Sequence, residues 1–232
     1  MSYIAKTRRF IILTLALASV AGAALSAADV SSTDPDPREK TNTIEFYGGT
    51  AYNFRTSLKV EQSGQPDLSF DAKYRTSAFE SPIYYGWRFG MWRGDKATEI
   101  EWIHHKLYLV NRPAEIQNFS ISHGFNMFML NKAREKNGII YRIGGGVVIT
   151  HPESAIRGQK FPEDNGIFNK GYYLSGPAVQ VAIGKRFDIS GHFFGSLEGK
   201  LTAAYARVNV ADGHANVTNV ATHFLFGIGY KY

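Results

Sequence analysis

Residues 220–232 read VATHFLFGIGYKY, and the alternation in them decides the fold. Val220, Phe224, Phe226, Ile228, Tyr230 and Tyr232 fall on one side of an extended chain; His223, Gly227, Gly229 and Lys231 fall on the other. Successive side chains of a strand point to opposite faces, so this segment is a strand with one apolar face and one small or polar face.

Seven further segments repeat the pattern. Ile44, Phe46, Tyr52 and Phe54 oppose Glu45, Tyr47, Gly49 and Asn53. Ile83, Tyr85, Trp87, Phe89 and Met91 oppose Tyr84, Gly86, Arg88, Gly90 and Trp92; Ile100 and Trp102 oppose Glu99 and Glu101. In 118–130 the apolar set is Phe119, Ile121, Phe125, Met127 and Met129, facing away from Ser120, Ser122, Gly124 and Asn126. Tyr141, Ile143, Val147 and Ile149 oppose Arg142, Gly144, Gly146 and Val148. Val179, Val181, Ile183 and Phe187 oppose Gln180, Ala182, Gly184 and Arg186, and Leu197, Leu201, Ala203 and Tyr205 oppose Ser196, Glu198, Lys200 and Thr202. Each segment reaches the ~9–11 residues with which a tilted strand crosses a bilayer.

The connections sort by length. Those at 55–81, 109–117, 151–172 and 207–219 are long; those at 93–96, 131–138 and 188–191 are short. Alternating long and short connections mark a barrel whose two ends face different compartments, the long loops outside and the short turns in the periplasm. A soluble sandwich has no reason to sort them so. Within 55–81, Ser57–Gln62 and Leu68–Arg75 flank the turn signal Gly64-Gln65-Pro66-Asp67, which predicts a hairpin projecting beyond the membrane.

The start of the chain has another character. Lys6, Arg8 and Arg9 precede an apolar run from Phe10 to about Val20, and Ser26-Ala27-Ala28 offers a cleavage site before Asp29. This is the layout of a secretory signal peptide. Residues 29–43, polar and with two Pro, read as a flexible periplasmic lead. Without 1–28 the net charge falls from +6 to +3, which gives no case for nucleic acid. The absence of Cys excludes a disulfide scaffold, a thiolate zinc site and a Cys nucleophile.

The expected fold is therefore all-β, an eight-stranded antiparallel up-and-down transmembrane β-barrel over 44–232. The terminal run Phe224-Leu225-Phe226-Gly227-Ile228-Gly229-Tyr230-Lys231-Tyr232, closing on an aromatic, resembles the small outer-membrane β-barrel superfamily typified by the OmpA transmembrane domain and OmpX. That resemblance implies a place in a Gram-negative outer membrane, lipids and lipopolysaccharide as surroundings, and insertion by the barrel assembly machinery through the C-terminal strand.

Charges of both signs fall on the inward faces: Glu45, Arg88, Glu99, Glu101, Arg142, Arg186, Glu198 and Lys200. Isolated charge in a narrow interior is costly, so these residues predict a paired network rather than acid–base catalysis. The run Gly144-Gly145-Gly146 has no phosphate-binding context and reads as room for large neighbours. Among the seven His, His104 and His105 are consecutive and cannot chelate together from a strand. Ser120-Ile121-Ser122-His123 is the nearest hint of a lipid A-modifying enzyme, an acyltransferase or deacylase. On a regular strand, however, Ser122 and His123 point to opposite faces, and the His-x-Ser spacing of the deacylases is missing. No catalytic, cofactor-binding or metal-ligating residue is assigned, and no cofactor is implied. Eight strands leave an interior that side chains can fill, which allows at most a narrow small-solute channel. The loop cations Arg55, Lys59, Lys73, Arg75, Arg112, Arg157, Lys160, Lys170 and Arg207 are nearly matched by acids. The expected role is structural or surface-interacting, through the external loops.

Overall fold

The computed structural model describes residues 40–162 and 166–232. The signal peptide and residues 29–39 of the lead lie outside the described residues. Thirteen strands are present: β1 (Lys40–Asn53), β2 (Thr56–Gln62), β3 (Leu68–Ala72), β4 (Tyr74–Arg75), β5 (Tyr85–Arg93), β6 (Lys96–Leu109), β7 (Ile116–Lys136), β8 (Ile139–Thr150), β9 (Glu153–Ile156), β10 (Gln159–Lys160), β11 (Tyr173–Ser190), β12 (Phe193–Val210) and β13 (Gly213–Lys231).

Eight of them close a ring, β1-β5-β6-β7-β8-β11-β12-β13, every contact antiparallel. The seam is made by β13 and β1, paired from Thr43↔Lys231 to Asn53↔Ala221. Closure leaves no free edge in the wall, which is what lets strands span a membrane at all. The five short strands extend the wall at one end. Beyond Asn53, β2 takes the place of β1 beside β13 and turns back through β3; β4 pairs β6, and β9 pairs β7. The hairpin predicted around Gly64-Gln65-Pro66-Asp67 is therefore present.

Burial runs opposite to that of a water-soluble protein. Ile44, Phe46, Ile183, Leu197, Phe224 and Phe226 are each more than half exposed on the outside, whereas Arg88, Glu99, Glu101 and Lys200 are fully enclosed. The exterior is the surface an acyl-chain solvent demands, and the fold is the transmembrane β-barrel read from the alternation. The interior is charged in its middle. Toward the long loops it is apolar, filled by Leu58, Val60, Leu107, Phe119, Ile121, Phe125, Val208 and Val217, and a smaller apolar cluster of Trp92, Ala97, Ala133 and Ile140 closes it toward the short turns. Gly86 and Gly144 leave the space these layers need: a Cβ at Gly86 would lie 2.3 Å from the Tyr47 ring, and one at Gly144 would lie 1.8 Å from the Asn131 side chain.

Four sequence expectations are corrected. Residues 40–43 belong to β1, paired with Gly90–Arg93, rather than to the lead. The connection at 131–138 shrinks to Asn137-Gly138, because β7 runs on to Lys136. The connection at 207–219 is not a loop: β12 and β13 pair without interruption up to Val210↔Gly213. Ala206, Val208, Val210, Ala215 and Val217 point inward there, and burying that face outweighs the turn preference of the Asn and Asp between them. Finally, the apolar face of β7 points into the barrel. Phe119, Ile121, Phe125, Met127 and Met129 are buried, and Phe128 and Leu130 are its outer residues. Above the charged layer the interior is itself apolar, so hydrophobic parity no longer distinguishes inside from outside.

Candidate functional site

The inward charges come together as expected. Arg88, from β5, reaches Glu45 at 3.0 Å, Glu101 at 2.6 Å and Glu198 at 2.8 Å, with Glu99 at 3.6 Å. Arg142, from β8, binds Glu99 at 2.8 Å and Glu198 at 2.7 Å. Lys200 bridges Glu101 and Glu198. Tyr47, Asn131 and Gln180 donate further hydrogen bonds to Glu101. Arg186 sits lower, 4.0 Å from Glu45 and Glu99, between the rings of Trp92 (4.7 Å) and Phe194 (4.5 Å). Four cations therefore meet four carboxylates, a neutral cluster drawn from six strands. Such a cluster is a cross-brace: each carboxylate is shared between cations of different strands.

Above it, Tyr84 and Thr202 hydrogen-bond the two nitrogens of His223, and His105 and Asn219 converge on Asn53. Among the described residues no group of three or more His, Asp or Glu is arranged to hold a metal ion.

One sequence expectation fails locally. Ser122 and His123 do not point apart; both meet Glu153 of β9. Gly124 has a φ of +132°, and the β6–β7 pairing shifts between His105 and Leu107, so strict alternation breaks at this point. His123 Nδ1 lies 2.6 Å from Glu153 and 3.2 Å from Ser122 Oγ. A nucleophilic relay needs the hydroxyl on one ring nitrogen and the carboxylate on the other. Here one nitrogen serves both, so the trio pins β9 to β7. Burial pushes the Glu153 carboxyl up, but hydrogen bonds from Ser122 and His123 outweigh it and hold the group below the usual carboxylate range. A lowered midpoint means the pin is present at neutral pH and is lost as pH falls through that midpoint. In a carbon-detected NMR titration, Glu153 is expected to titrate below free glutamate, and Ser122→Ala to raise its midpoint. An unshifted midpoint in both proteins would exclude the pin.

At the long-loop end the first three loops and the Ala211-Asp212 turn between β12 and β13, the fourth connection, are tied in a circuit. Asn111 donates to Asp71 O and accepts from Lys73 N, joining the second loop to the first. Arg157 N donates to Glu115 O, and Gly158 N to Gln117, joining the third to the second. The Arg157 guanidinium crosses the mouth to Gln62 at 3.1 Å and Pro66 O at 2.6 Å. Gln159 reaches Asp212 in the fourth at 2.9 Å, and Gln62 reaches Ala211 O. Lys59, one of the loop cations, is held by Glu61 and Asp67. Nothing in the sequence marks Arg157 as a brace rather than a free charge.

No protein-family model matches the chain, and no curated protein matches its sequence. Solved structures with a similar course include the attachment invasion locus protein Ail of Yersinia pestis (10% identity, TM-score 0.40, 84% of this chain and 99% of that one). Neisserial surface protein A is similar at 8% identity and TM-score 0.38, over 83% and 97%. The outer membrane protease OmpT of Escherichia coli is similar at 9% identity and TM-score 0.36, over 88% and 99%. The closed ring, the apolar exterior and the filled, charge-paired interior make this chain an eight-stranded antiparallel transmembrane β-barrel.

Proposed function

We propose that the chain is exported, loses residues 1–28, and is an integral outer-membrane protein that acts at the cell surface as a rigid, closed scaffold. The observation that carries the reading is the inverted burial: large apolar residues outside, and Arg88, Glu99, Glu101 and Lys200 enclosed. A wall of that kind is stable only with acyl chains around it. The circuit of loops supports the surface role, since a braced platform offers a partner a preorganised face at little ordering cost. The enclosed charges and the apolar layer above them favour a scaffold over a channel. Lipids and lipopolysaccharide are its surroundings, and the C-terminal strand is its handle for the barrel assembly machinery.

The test is to express the chain with its own leader in a Gram-negative host. The protein is expected in the outer-membrane fraction with its N-terminus near Asp29, migrating faster on gels unheated than heated. Reconstituted into planar bilayers it should give no steady conductance above background. Recovery in a soluble fraction would overturn the membrane assignment, and stable single-channel steps would overturn the closed scaffold.

A further inference from the structure

Five cations crowd one patch of the outer wall at the end that bears the short turns. The ladder places Lys40 opposite Arg93, Arg93 opposite Lys96, and Lys96 opposite Arg134. One cross-strand row on β1, β5, β6 and β7 thus carries four cations in succession, all on the lipid-facing side. Lys132 lies one row deeper, opposite Thr98. At the ~4.8 Å strand spacing, the four cations of the row span about 15 Å. Asp95 is bound to Arg134 at 2.7 Å. Like charges directly opposite one another are destabilising, so the row calls for an anion.

Position argues against simple snorkelling, in which cations ring the whole interface. Beyond Arg134 the same row continues through Tyr141 and Ile183. At the same end the wall of β12 and β13 presents Phe193, Tyr230 and Tyr232. The positive charge is thus concentrated on the side of β1, β5, β6 and β7, with Lys185 of β11 a separate outward cation at that end. The apolar surface beside it is concave: a groove of about 1100 Å³ runs past Arg93, Lys96, Lys132 and Arg134 and is floored by Ile143, Val181 and Leu201. A cationic end with an apolar floor is complementary to a lipid having an anionic headgroup and acyl chains.

We infer that this patch is a binding site for an anionic phospholipid of the periplasm-facing leaflet, its phosphodiester held by Lys96, Lys132 and their neighbours and its chains lying in the groove. The inference rests on the membrane reading above. At the loop end Lys59 is held by Glu61 and Asp67, and the Arg157 guanidinium by Gln62 and Pro66 O.

The test uses the mature barrel in phosphatidylcholine vesicles and in phosphatidylcholine–phosphatidylglycerol vesicles, followed by gentle extraction and native mass spectrometry. Phosphatidylglycerol is expected to stay bound to the native chain. Lys96→Gln with Lys132→Gln, which leaves the Arg134–Asp95 pair intact, should lower its retention roughly tenfold or more, given about 1 kcal/mol per cation at a lipid surface. Lys73→Gln with Lys160→Gln removes the same charge at the loop end and should leave retention unchanged. Heat-dependent gel migration confirms that each variant is folded; if the first pair does not fold, Lys96→Gln alone replaces it, with a smaller loss expected. Equal loss in both pairs, or no retention by the native chain, overturns the site. Lipopolysaccharide competing as well as phosphatidylglycerol, with the same sensitivity to Lys96 and Lys132, overturns its assignment to a phospholipid. A barrel that enters neither vesicle overturns the membrane reading as well; one that enters both without retaining phosphatidylglycerol overturns this inference alone.

Discussion

Replacing Arg88 by Met is expected to destabilise the barrel by about 3–5 kcal/mol, the range for removing one partner of a buried ion pair. Arg88 touches all four carboxylates of the interior, at 2.6 to 3.6 Å, from a position with no access to water. Without it three cations face four acids, and a replacement charge would have to cross an apolar layer from either end. Met fills much of the same volume, so the loss reports charge rather than a cavity. Arg186→Met is the internal comparison. Its contacts are at 4.0 Å, and its guanidinium lies between the rings of Trp92 and Phe194, a slot that also suits a thioether. A clearly smaller loss is expected there. Urea unfolding in detergent micelles, followed by tryptophan fluorescence, measures both. If Arg88→Met leaves the midpoint where it was, the cluster does not brace the barrel.

The second large effect is all-or-none. The native chain has no Cys, so a single introduced thiol reports its own side of the membrane. Gln65→Cys, exposed in the turn between β2 and β3, is expected to react with a membrane-impermeant maleimide on intact cells. His192→Cys, exposed in the turn between β11 and β12, should stay unlabelled until the outer membrane is permeabilised. Both sites label in detergent, which controls for reactivity. The reverse pattern on intact cells would turn the protein over, placing the braced loops and the basic patch in the opposite compartments.

Much of this architecture is legible in the sequence because a membrane barrel writes its two environments into alternate residues. Glu45, Arg88, Glu99, Glu101, Arg142, Arg186, Glu198 and Lys200 were all placed inside by parity alone, and all line the interior. What parity leaves out is how they pair, since Arg88 and Glu198 are 110 residues apart and meet only when the ring closes. It also fails where both faces are apolar, as on β7, whose Phe119 to Met129 set fills the upper core. Ser122 and His123 were separated by a rule that holds for regular strands, and Gly124 breaks it. The circuit of loops was hidden for another reason: its bonds use backbone carbonyls at Pro66, Asp71 and Ala211, and a carbonyl has no signature in a sequence.

That circuit has a consequence for how the exposed surface can diverge. Because Gln62, Asn111, Arg157 and Gln159 each hold a neighbouring connection, a substitution in one is felt by the next, and the four cannot drift independently. Tolerated variation should collect where nothing is tied across the mouth, around Phe79 and Phe168, both standing out into solvent. Lineages of this barrel would then share a constant crown while differing at two patches beside it, and a reagent raised against the crown would recognise relatives that one raised against those patches would miss.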